Sequence, residues 1–85
     1  MKLSETEGKT LKAWANCEVG FGFGFKVAGE RSGVPSHQIR RAVRSLARKG
    51  ALEFQRTLFD EYDGAMVGAG YVLTESGLNS LEQLP

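Results

Sequence analysis

The residues best placed to do chemistry are the arginines between Ser32 and Leu52, in S-G-V-P-S-H-Q-I-R-R-A-V-R-S-L-A-R-K-G-A-L. Apolar side chains recur at Ile39, Val43 and Leu46, with Ala42 and Ala47 beside them, which is the i, i+4, i+7 spacing of one helical face. At about 100° per residue the opposite face carries His37, Arg41, Arg44 and Arg48, with Arg40 on the flank. A cationic stripe of this kind suits an anionic partner, a nucleic acid or an acidic protein surface. A merely solvated helix also carries arginines, but it tends to pair them with Glu or Asp four residues away. No such partner stands on this stripe. From Glu30 to Gly50, Arg31, Arg40, Arg41, Arg44, Arg48 and Lys49 face Glu30 alone.

Other chemistries are excluded by what is missing. One histidine and one cysteine cannot build a four-ligand structural zinc site. Cys17 lies between Asn16 and Glu18, without a basic sequence neighbour to activate its thiolate. Asp60, Glu61 and Asp63 form a carboxylate cluster on a turn, where solvation accounts for them and no base partner is at hand. The G-x-G of Gly20–Gly24 has no phosphate lysine at P-loop spacing. An enzyme is not expected, nor is a metal or an organic cofactor.

The elements that must position the arginines follow from the flanking residues. Pro35 cannot continue a preceding helix, so a break falls at Gly33–Pro35, with Ser36 the expected N-cap. The helix runs from Ser36 to Lys49. Gly50 stops it, and Arg48 and Lys49 suit the negative end of its dipole. Ahead of the break, Phe25 to Ser32 reads as a short helix with Val27 and Ala28 inward, and Gly33 supplies the positive φ of a tight turn. Ser4-Glu5-Thr6-Glu7 matches a capping box. It opens a first helix expected to reach about Asn16, with Leu11, Trp14 and Ala15 on its apolar stripe and Trp14 as a core anchor.

Between them lies Val19-Gly20-Phe21-Gly22-Phe23-Gly24-Phe25, apolar and glycine residues alternating at period two. It reads as a connector whose phenylalanines fill the core, with an aromatic patch for self-association as the alternative. After Gly50, the run from Ala51 to Phe59 alternates as a strand, with Leu52, Phe54, Arg56 and Leu58 in register. Asp60 to Gly64 is turn chemistry, and Ala65 to Leu73 returns as a partner strand with Tyr71 and Leu73 on one face. Thr74 caps a last helix carrying Leu78, Leu81 and Leu84.

With the order helix, helix–turn–helix, hairpin, helix complete, the chain resembles the winged helix-turn-helix domains of bacterial regulators of the MarR type, and small phage or prophage regulators. Three pieces carry the likeness. They are Val27 to Leu52, the hairpin with its acidic turn, and Y-V-L-T-E-S-G-L-N-S-L from Tyr71 to Leu81. The resemblance implies an α+β fold with a three-helix core, a two-stranded wing and a C-terminal helix. It also implies double-stranded DNA as partner, with the 36–49 helix in the major groove. Carried over residue by residue, Ser36, His37, Gln38, Arg40 and Arg41 fall where bases or flanking phosphates are met. Gln38 suits adenine and Arg41 guanine. Arg44 and Arg48 suit phosphates farther along. Arg56 is the one basic residue on the hairpin, whose tip of Asp60, Glu61 and Asp63 would be repelled by phosphate. The wing therefore stands off the DNA or faces a protein. Winged helices also serve as protein-contact modules, which is the other reading of this chain.

Size sets the remaining bounds. The 85 residues, 41% hydrophobic with a formal net charge of +1, imply one domain, 1–85. A core of that size supplies about 3–5 kcal/mol, so a homodimer contact or a nucleic-acid ligand would add materially to stability. The lone Cys17 fits a reducing compartment, and no apolar run approaches membrane-spanning length. A cytoplasmic, transcription-controlling DNA-binding protein is the expectation.

Overall fold

The capping box expected at Ser4 starts the chain's first helix. In the computed structural model, which describes residues 2–59 and 66–84, Ser4 Oγ accepts from the Glu7 amide at 3.1 Å. Glu7 Oε1 in turn accepts from the Ser4 amide at 2.8 Å. Helix α1, Glu5–Leu11, ends short of the expected Asn16. From Lys12 to Trp14 the backbone tightens into a 3₁₀ turn, and Asn16 takes a φ of 68°. At three residues per turn Trp14 comes to lie directly above Leu11, and both are fully buried. The same change of pitch turns Ala15, expected inward, to solvent, and buries Ala13 in its place.

Trp14 anchors the core. Its ring stacks on Phe23 with centroids 4.5 Å apart, and its Nε1 donates to the Tyr71 carbonyl at 3.2 Å. Phe23 belongs to the Gly-Phe stretch, which therefore fills the core as a connector. It also forms a strand, so among the described residues the sheet has three strands where a two-stranded hairpin was expected. β1, Gly22–Phe23, pairs antiparallel with β3, Met66–Leu73, which pairs antiparallel with β2, Leu52–Phe59. Glycine at position 22 permits this close approach, because a Cβ there would overlap the Tyr71 carbonyl oxygen. The β2–β3 register sets Leu52 opposite Leu73 and Phe54 opposite Tyr71, with an irregularity between Gln55 and Leu58. The expected turn at Asp60 to Gly64, with its acidic residues, lies outside the described residues.

α2, Phe25–Ser32, turns Ala28 into the core. Val27, also expected inward, is exposed. It lies about 100° round the helix from Ala28, and Phe25, three residues back from Ala28, takes the inward side instead. Gly33 closes this helix at φ 75°, its amide bonded to the Gly29 carbonyl at 2.9 Å. α3 spans Ser36–Arg48. Its N-cap is Pro35 rather than Ser36. The proline ring pins φ near the observed −57°, and its carbonyl accepts from the amides of Gln38 and Ile39 at 2.9 and 3.1 Å. Ser36 is thus the first helical residue.

The apolar face of α3 is buried as its spacing predicts, at Ile39, Ala42, Val43 and Leu46. α4, Glu75–Gln83, is capped by Thr74, whose Oγ1 accepts from the Gly77 amide at 3.0 Å and whose one hydroxyl proton is shared between the carbonyls of Gly50 and Ala51. Leu78 and Leu81 pack against the core, and Leu84 lies just past the helix end. Among the described residues no helix is long and apolar enough to cross a membrane.

Candidate nucleic-acid interface

The face of α3 opposite its buried side is continuous. Ser36, His37, Gln38, Arg40, Arg41, Arg44 and Arg48 are all exposed, so the helix brings seven of the eight candidate residues together. Arg56, the eighth, is exposed on β2, a separate element. His37 and Gln38 touch through Nε2 atoms 3.4 Å apart. With Arg41 they line an open groove against Ser4, Thr6 and Glu7 of the chain's first turn.

Electrostatics separate the basic residues into those engaged within the fold and those left for a partner. Lys49 belongs to the first group, although its position in the last turn suggested only a dipole role. Its Nζ donates to Glu7 Oε1 at 2.7 Å and to the Lys2 carbonyl at 3.0 Å, while Ser45 Oγ donates to Glu7 Oε2 at 2.5 Å. Burial by itself would raise the Glu7 pKa from its ordinary 4.5. The hydrogen bonds from Lys49, Ser45 and Ser4 outweigh that and hold it down to about 2. Glu7, read in the sequence as a capping residue, therefore also ties α1 to the far half of α3.

Arg31 is engaged too. Its Nη1 lies 3.5 Å from the Ala13 carbonyl and 3.6 Å from Cys17 Sγ, and its guanidinium sits over the Phe23 ring at 4.9 Å. Cys17 thus has a basic neighbour through space that it lacks in sequence. Arg40, Arg41, Arg44 and Arg48 have no carboxylate within ion-pairing distance among the described residues. Two of them rest instead on an aromatic ring, the Arg40 and Arg44 guanidinium carbons lying 5.3 and 5.8 Å from the centroid of Phe25. Sequence reasoning missed Phe25 in this role. The i, i+4 spacing places Arg40 and Arg44 on one side of the helix, but nothing local to them points to a ring on the preceding helix.

Two solved structures share this architecture. BpsR of Bordetella bronchiseptica superposes with a TM-score of 0.70 at 16% identity over 96% of this chain and 56% of its own. PcaV of Streptomyces coelicolor does so with a TM-score of 0.66 at 26% identity over 96% of this chain and 52% of its own. The fold is a winged helix-turn-helix, of the kind MarR-type regulators carry. In it α2 and α3 are the helix-turn-helix pair, and β2 and β3 are the wing strands. BpsR was determined to explain how 6-hydroxynicotinic acid regulates its DNA binding, and PcaV is a transcriptional regulator solved with its natural ligand. The chain spans little more than half the length of either. No protein-family model matches the sequence, and no curated protein matches it.

Proposed function

We propose that the chain binds double-stranded DNA in a sequence-dependent manner and controls transcription, with α3 laid in the major groove. The observation that carries this reading is the exposed face of Arg40, Arg41, Arg44 and Arg48, free of carboxylate partners among the described residues. Four guanidiniums held on one helix face repel one another and gain most from a polyanion. The placement of α3 as second helix of the pair supports the same reading, as does the regulatory role of PcaV and the DNA binding of BpsR.

The N-terminal half of α3 reads bases through Ser36, His37, Gln38 and Arg41, while Arg40, Arg44 and Arg48 hold phosphates. Arg56 adds a backbone contact from the wing strand. The chain acts as one winged-helix domain in a bacterial or phage-infected cytoplasm. It pairs as a homodimer so that two α3 helices meet half-sites about 34–36 Å apart.

Selection of bound fragments from random duplex, followed by titration of the selected and a scrambled duplex at two salt concentrations, tests the proposal. A preference for the selected duplex of about a thousandfold or more, with affinity falling steeply as salt rises, is expected. Salt-insensitive binding, or equal affinity for both duplexes, would leave the protein-contact reading in its place.

A further inference from the structure

The exposed arginines differ in what lies beneath them. Arg41 borders the groove toward α1, beside His37 and Gln38. Arg40 and Arg44 share one ring, their guanidinium carbons 5.3 and 5.8 Å from the centroid of Phe25. Phe25 opens α2 and is half-buried. Its ring meets Tyr71 of β3 at 5.6 Å, and Tyr71 meets Phe54 of β2 at 5.3 Å. The ring is therefore packed against the sheet beneath the arginines it supports.

Two guanidiniums brought to one place repel, and a free arginine side chain surrenders several rotatable bonds when it grips a phosphate. The negative face of an aromatic ring offsets the first cost, and a guanidinium already resting on the ring has less freedom left to lose. We propose that Phe25 is a positioning residue for DNA binding. Its ring presets Arg40 and Arg44 as a paired clamp on the backbone phosphates that border the groove on the side of the sheet, leaving sequence discrimination to Arg41 and its neighbours. This rests on the DNA-binding reading above.

The test has one arm without DNA and one with it. In the free protein, the Cδ protons of Arg40 and Arg44 should be shifted in the NMR spectrum by the ring current of Phe25. The shift should be kept in Phe25→Tyr and lost in Phe25→Leu. In the DNA arm, Phe25→Leu should bind selected and scrambled duplex more weakly by the same factor, on the order of tenfold. Phe25→Tyr should bind like the parent. Adding Phe25→Leu to the Arg40→Ala/Arg44→Ala double variant should cause no further loss. Phe25→Met replaces Phe25→Leu if thermal unfolding shows the leucine variant not to be folded, and the parent's arginine shifts are informative in either case.

Unshifted arginine protons in the parent overturn the proposal. So does parent-like binding by Phe25→Leu, or a loss that persists when both arginines are alanine, since the ring would then act through packing alone. If the parent binds no duplex while the arginine shifts are present, the DNA-binding reading has failed and the seating of the arginines has not.

Discussion

At the scale of single residues, the arginines of α3 are chemically alike and separated only by position. Arg41 stands one turn from the start of the helix, beside His37 and Gln38, whereas Arg48 is its last residue. An arginine reading a guanine edge contributes about 1–3 kcal/mol of discrimination, and one on a phosphate contributes equally to every sequence. Arg41→Ala is therefore expected to relax preference at one base position, read by titrating duplexes mutated one position at a time. Arg48→Ala should weaken selected and scrambled duplexes alike and lower the slope of log affinity against log salt by about 0.9. Parent-like binding by both variants would remove α3 from the interface. Lys49 should behave as neither, because its charge is matched by Glu7 within the fold. Its alanine variant should lose stability before it loses specificity.

At the scale of elements, α3 and β1 are held by different means. Its apolar face meets the core through Leu46, which is fully buried. Leu46→Ala should cost about 2–5 kcal/mol, a large share of the stability of so small a fold, and thermal unfolding would show it. An unchanged melting temperature would contradict the burial. β1 is held by backbone proximity instead. Gly22→Val should force β1 away from β3, since even a Cβ at that position overlaps the Tyr71 carbonyl. Amide exchange should then quicken at Phe23 and Tyr71, the paired residues, and less at Leu52 and the β2–β3 ladder. Uniform quickening across the sheet would mean that β1 and the wing open as one unit.

At the scale of the whole molecule, Glu7 couples acid titration to folding. Its pKa is about 2 in the fold against an ordinary 4.5. The charged carboxylate thus stabilises the fold fully above about pH 4.5, and that contribution fades as pH falls through 2, below which both states bind the proton. Urea midpoints should fall between pH 5 and 2 in the parent. Glu7→Gln should be less stable at neutral pH and flatter across that window, whereas a parallel decline in both proteins would assign the acid sensitivity elsewhere.

Most of the fold was legible in the sequence because its signals are local. Helical spacing at Ile39, Val43 and Leu46, the Ser4–Glu7 capping box, the Gly33 turn and the Thr74 cap each depend on residues within a few positions of one another, and each holds. The arginine stripe was legible for the same reason, since one helix fixes which side chains share its outer face. Tertiary structure decided what depends on distant partners. Lys49 meets Glu7 across 42 positions, Trp14 bonds the Tyr71 carbonyl across 57, and Gly22 turns a connector into a third strand only because β3 passes beside it. Phe25 beneath Arg40 and Arg44 is of that kind. Periodicity orients a side chain about its own helix axis, but which ring it comes to rest on is set by how two helices and a sheet pack together.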